Sequence, residues 1–278
     1  MPPPHRSQVS GSDAVAAQQV CWVHMNWQEL LARAETELHR GAYHDALQLC
    51  DRAAQQGEDA RYHAAMLRGD TLLNLGDPFA ALSTYEAVAD PDVPDPRVDC
   101  ARGIALLEQG RFAEARHALQ SASRGAPELP DAYFYLGLLA ELLGTGEESQ
   151  FYRRARHIDP ERFPPYVQLS RTGFAEAVED ALQQLPAELQ QRAAELQVVI
   201  AELPHPGDIQ ETSMPIFPLT RGVFVGWASL RSDEQQAPPE DAPTLVLFKR
   251  NLERQAADRE GLVAAIRDVA EHELERAF

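Results

Sequence analysis

Between positions 27 and 160 the apolar residues recur at helical spacing, and the pattern itself repeats. Small residues stand at Ala34, Gly69, Gly103 and Gly137, spaced 35, 34 and 34 apart. Glycines at Gly41, Gly76, Gly110 and Gly144 keep the same spacings, and alanines follow the first three at Ala46, Ala81 and Ala115. The fourth unit, Gly144-Thr-Gly146 to Ser149, is degenerate but closes on Ala155, Asp159 and Pro160. The pattern predicts, in each unit, a helix, a tight turn at the glycine and a second helix. The small residues sit where two helix backbones approach, and leucines and aromatics fill the space between units.

This period and order of small, glycine, aromatic and alanine positions resembles the tetratricopeptide repeat, with about four repeats over half of the chain. The resemblance implies a curled array whose first helices line a concave face that binds protein or peptide. Counting along those helices places Leu31, Glu35, Leu38, His63, Met66, Asp70 and Leu73 on that face. Cys100, Ile104, Leu107, Phe134, Leu138 and Glu141 continue it. The face has no Lys, Arg or Asn to clamp a terminal carboxylate, and its charges are acidic. It suits an apolar or weakly basic helix, including one from the same chain. The competing reading of the same leucines is that they are core between helices, with the face one register away.

The pattern changes after Pro160, where Phe163-Pro-Pro-Tyr-Val breaks the helical period. A helix is predicted over 173–185, stopped by Pro186. The β-branched stretches 196–203, 222–228 and 244–249 read as strands, and a final helix is predicted over 262–278. Helix, three strands and helix make a small α+β unit.

These stretches resemble the minimal gluzincin-like metallopeptidase family. The likeness runs from Phe174 and Val178 through Leu185-Pro186, Val198 to Pro204 and Arg221-Gly-Val-Phe224. It continues in Leu247-Phe-Lys-Arg-Asn-Leu-Glu253 and ends on His272-Glu273. In that family the last helix reads His-Glu-x-x-His. Residues four apart lie one turn above each other, so two imidazoles hold one zinc while the Glu activates its water. The resemblance makes His272 the first metal ligand and Glu273 the general base. Arg276 stands where the second histidine belongs, and after Phe278 the sequence supplies no third ligand. A guanidinium stays protonated at working pH and repels a metal ion. Three residues after Glu273, it is placed instead to pair with that carboxylate. A rebuilt metal site from Asp268, His272 and Glu275 on one helix face, with His205 approaching from a loop, is the alternative.

Charge narrows the partners. The net charge of −18 with Lys249 as the only lysine argues against nucleic acid, which is bound by clustered cations. No apolar run approaches the ~20 residues a membrane span needs, and the first residues lack the order of a signal peptide. The three cysteines have no metal-ligand spacing and read as reduced thiols in a cytoplasm. The sequence thus predicts an α-helical repeat solenoid followed by a small α+β zincin-like domain. Residues 1–25 form a disordered tail, 26–160 the repeats and 161–278 the zincin-like domain. The expected function is protein binding by a bacterial-type cytoplasmic protein, joined to a non-catalytic relative of a zinc peptidase that holds no cofactor. The alternative is an active zinc peptidase whose repeats recruit substrate.

Overall fold

A computed structural model describes residues 25–90, 92–209, 216–225 and 243–277. The tail expected at 1–25, with Trp22 and Cys21, lies almost wholly outside the described residues. Two compact units form, Met1–Val93 and Pro94–Phe278.

The first unit holds two helical hairpins, α1 (Trp27–His39) with α2 (Tyr43–Ala54), and α3 (Glu58–Leu75) with α4 (Pro78–Glu86). Asn26 starts α1 because its side chain accepts from the Glu29 backbone N–H at 2.9 Å while Glu29 accepts from the Asn26 N–H at 3.0 Å. This reciprocal cap satisfies two donors that the first helical turn leaves open. Asp77 caps α4, with Pro78 at the first helical position, where a missing N–H costs nothing. Leu30, Ala34, Leu49, Cys50 and Ala53 form the core of the first hairpin, joined by Ala64 of α3. Trp27 stacks on His63 at 5.3 Å and 11°, so the aromatic at the start of the array covers an edge of the next repeat.

The second unit opens with two more hairpins, α5 (Pro96–Glu108) with α6 (Phe112–Gly125), and α7 (Pro130–Leu142) with α8 (Glu148–Ile158). The repeat glycines behave as their spacing predicts. Gly41, Gly76, Gly110 and Gly144 have φ of 74°, 84°, 71° and 62°, a backbone that side chains with a Cβ rarely adopt. The other small position serves close approach. A Cβ on Gly103 would lie 2.7 Å from Leu119 Cγ, and one on Gly137 would lie 2.7 Å from Tyr152 Cε1. Ala46, Ala81 and Ala115 are fully buried, whereas Ser149 of the fourth repeat is exposed. Cys50, Tyr85 and Leu119 recur at the repeat spacing, but in the fourth unit Tyr152 takes that role and Arg153, which the spacing selects, is exposed. The degenerate second helix is therefore one residue out of step.

Beyond α8 the chain runs without helix or strand until α9 (Arg171–Gln183), which is followed by α10 (Ala187–Ala193) and β1 (Gln197–Ala201). Next come α11 (Pro206–Ile209), β2 (Gly222–Val225), β3 (Thr244–Phe248), α12 (Lys249–Glu253) and α13 (Arg259–Ala277). The short helices α10, α11 and α12 were not legible as periodic segments. In the sheet, β3 is central, parallel to β1 and antiparallel to β2. Every residue of β3 is buried, which explains its unbroken apolar run. Leu245 and Leu247 face the core made by α9 and α13, while Val246 and Phe248 pack with Val199 and Val225 on the other face. Side chains alternating across a strand produce this two-sided burial.

Gly103→Leu is expected to lower the unfolding free energy by ~1–3 kcal/mol through overpacking against Leu119. A surface control such as Gln120→Ala should change it by less than about 0.5 kcal/mol. Equal denaturant midpoints for the two variants would show that α5 and α6 do not meet at Gly103.

Glu108, at the end of α5, supplies a pH test. Burial pushes its carboxyl up from 4.5 to about 7. A raised carboxyl makes the folded state bind the proton more tightly, so this contribution is present at low pH and is lost as pH rises from 4.5 through about 7. Glu108→Gln removes the loss. Its stability relative to the parent should rise by about 1–3 kcal/mol between mildly acidic and mildly alkaline buffer, read from urea unfolding. A constant difference would place the carboxyl in water.

Candidate functional site

The site begins with the approach of α13 to β2. A Cβ on Gly222 would lie 2.7 Å from Val269 Cγ1, so the glycine is what lets the helix lie close over the strand. Leu262, Val263, Ile266, Val269, Ala270 and Leu274 are the buried residues of α13. This orientation brings Glu273 to the strand, where it accepts the Phe224 backbone N–H at 3.1 Å. The second carboxylate oxygen lies 3.6 Å from Arg276 Nη1. Glu273 is largely buried, at 13% side-chain exposure, while Arg276 is 68% exposed. The pairing expected from their spacing is present, and it is a surface pairing from the side of the arginine.

His272, one residue before Glu273, is exposed. The alternative metal set is not assembled. Asp268 is exposed and pairs with Arg267 at 2.8 Å, and Glu275 is exposed. His205 Nδ1 accepts from the Gly207 N–H at 3.0 Å. Among the described residues no three His, Cys, Asp or Glu side chains gather closely enough to hold a metal ion. A catalytic zinc needs three protein ligands and an open position. One exposed imidazole with a fixed cation one turn further on does not fit that requirement. Phe278 lies outside the described residues.

The expected concave positions divide. Glu35, His63 and Asp70 are exposed, and Leu31, Leu38, Met66, Leu73, Ile104 and Phe134 are half-buried. Asp70 accepts the Tyr85 hydroxyl at 2.7 Å. Cys100, Leu107 and Leu138 are instead buried in the helix packing, so these positions correct the expected face. They occupy the space between helices that the competing register assigned them, and no partner can reach them without opening the array. Glu141 also departs from a free groove carboxylate: it forms a salt bridge with Arg254, and Arg250 Nε lies 3.7 Å from it.

That pair belongs to a charged cluster around α12 that sequence reasoning missed. Lys249 Nζ lies 3.0 Å from Glu253 Oε1, both in the interior. The same carboxylate oxygen accepts the Leu169 N–H at 2.7 Å. Arg250 pairs with Glu202 at 3.2 Å. Arg254 also donates to the Tyr152 hydroxyl at 3.0 Å and stacks over that ring. Burial lowers its pKa to about 10, still far above neutrality. The only sequence signal was the shift from an apolar strand to Lys-Arg-Asn-Leu-Glu. The partners lie too far along the chain for spacing to show them.

Two solved structures resemble part of the chain. A crystal structure of MamA matches at 20% identity and a TM-score of 0.38, covering 46% of this chain and 74% of that one. The crystal structure of YrrB, a TPR protein with an unusual peptide-binding site, matches at 19% identity and a TM-score of 0.37. It covers 49% of this chain and 70% of that one. No curated protein matches the sequence. Family models match in two places, a tetratricopeptide repeat over residues 100–162 and a zincin-like metallopeptidase over residues 193–278. Residues 100–162 are therefore similar to a tetratricopeptide repeat and residues 193–278 to a zincin-like metallopeptidase.

Proposed function

We propose that the protein works by binding other proteins through its repeats, and that its zincin-like region is a non-catalytic relative of the zinc peptidases. The observation that carries this reading is the use of Glu273. The carboxylate that the family uses as a base here accepts a backbone N–H of β2 and pairs with Arg276. A base engaged in this way, beside a permanent cation at the second ligand position, is suited to holding α13 on the sheet. It is poorly suited to taking a proton from a metal-bound water.

For the repeats, the acidic and apolar positions that remain accessible favour a partner segment with apolar and basic side chains. Glu35, His63 and Asp70, beside Leu31 and Met66, are the positions we assign to that contact. Net charge disfavours nucleic acid. Among the described residues no helix is long and apolar enough to cross a membrane. A cytoplasmic setting agrees with the cysteine usage. The second reading, an active zinc peptidase with the repeats recruiting substrate, draws on the family match and the retained His272-Glu273 pair.

Metal analysis separates the two. The purified protein should retain no stoichiometric zinc after dialysis, should leave unfolded protein substrates uncleaved, and should melt at the same temperature with or without chelator. Near-equimolar zinc, with metal and cleavage both lost in His272→Ala, would establish the peptidase.

A mutant cycle tests the structural use of Glu273. Arg276→Met should cost only ~0–1 kcal/mol because the cation is in water. Glu273→Ala removes the acceptor of a strand N–H and should cost about 1.5–3 kcal/mol. Their coupling should stay below ~1 kcal/mol. A loss on Arg276→Met as large as that on Glu273→Ala would make the guanidinium the principal support of the helix.

A further inference from the structure

A cavity of about 210 Å³ lies in the second unit, apart from the His272 and Glu273 end of α13. Its walls come from α7, α8, the extended segment after α8, and the stretch around α12. Four aromatic side chains line it, Phe134, Tyr152, Phe163 and Tyr166. Phe134 is held at 5.0 Å and 30° from Phe163, and at 5.7 Å and 50° from Tyr152. These contacts fix the ring faces in place before any ligand arrives.

The polar part of the wall is cationic. Arg156, Arg162 and Arg254 line the cavity, and among the described residues no carboxylate does, in a chain with 43 acidic and 25 basic residues. Two of these guanidiniums are already neutralised: Arg162 pairs with Asp131 at 2.8 Å, and Arg254 pairs with Glu141. Arg156 differs. It donates only to neutral backbone carbonyls, Phe163 O at 3.2 Å and Pro164 O at 3.4 Å. Those bonds hold it in position without cancelling its charge. The cavity wall therefore carries one uncompensated positive charge beside a set of fixed aromatic faces. Arg254 Nε, in addition, is buried without a hydrogen-bond partner.

We propose that this cavity binds a small aromatic monocarboxylate, with its ring among Phe134, Phe163 and Tyr152 and its carboxylate on Arg156. Size and charge both select this class. The volume falls below the ~300–1,000 Å³ of sites for drug-sized ligands and suits a single ring with a short acid chain. One free guanidinium matches one negative charge, and a carboxylate takes two parallel N–H bonds from it. A phosphate would bring up to a second charge that the wall leaves unmatched. The proposal does not depend on whether the zincin-like region is catalytic.

The test is calorimetric titration of the full chain with 3-phenylpropionate, and with 3-phenylpropanamide as its neutral counterpart. The acid should bind saturably, and the amide at least about tenfold more weakly, the loss expected for removing a charge-assisted contact. Arg156→Gln should abolish that preference, and Phe134→Leu should weaken both ligands. Thermal melts identify any variant that fails to fold. In that case a salt titration of the parent protein replaces it: acid binding should weaken with ionic strength while amide binding does not. Equal affinity for acid and amide would overturn the proposal, as would binding unchanged in a folded Arg156→Gln, or no saturation at millimolar acid. A peptide ending in phenylalanine that binds where the free acid does not would overturn it in favour of a protein ligand.

Discussion

The second unit depends on how one short helix disposes of its charges. α12 has only five residues, too few to be stable by itself. It is fixed by ion pairs pointing in different directions. Lys249 and Glu253 neutralise each other inside, Arg250 reaches Glu202 after β1, and the adjoining Arg254 reaches Glu141 on α7. Taking such groups out of water is costly, and their attraction offsets that cost only when geometry and extra hydrogen bonds are good. Here the Leu169 N–H and the Tyr152 hydroxyl supply those bonds. One carboxylate oxygen of Glu253 still lacks a partner. The cluster is thus a weak source of net stability but a strict one of position, since losing one buried partner costs ~3–5 kcal/mol. Any other placement of α12 would strand several charges at once.

The same arrangement explains what could be read from the sequence. Repeat glycines and alanines are local constraints: a positive φ or a close helix contact demands a small residue wherever it occurs, so the period survived in the letters. The strands expected at 196–203 and 244–249 form with ends shifted by one or two residues, because β-branched runs mark a buried sheet but not where its ladder stops; positions 226–228 of the remaining one lie outside the described residues. The helix at 173–185 likewise appears as α9, two residues earlier, where Ser170 caps it by accepting the Gly173 N–H at 3.1 Å. The concave face was only partly legible. Leu107 and Leu138 have the spacing of inward residues, yet helical spacing alone does not separate a face turned to a partner from one turned to the next repeat. The ion pairs of α12 were not legible at all. Glu141 and Arg254 are 113 residues apart, and only the folded chain brings them together.

At the end of α13 the sequence supplied both members of a pair and the structure supplied its asymmetry. Glu273 is held by a strand and shielded, while Arg276 extends into water. A metal ion in that place would act on several ligands at once and tie them together. An exposed guanidinium instead balances one charge and leaves the backbone bond to hold the helix. The register of α13 on β2 therefore rests on packing at Gly222 and on one carboxylate bond, with little contribution from the cation.

The burial of Lys249 has a chemical consequence beyond packing. It is the only lysine in the 278 residues, and its ammonium is enclosed between Glu253 and the ring of Phe174. The folded protein therefore presents no lysine amine to acylating enzymes, ubiquitin ligases or amine-directed crosslinkers. Opening of the C-terminal region would uncover that one lysine amine, so labelling at Lys249 reports how often this part of the chain unfolds.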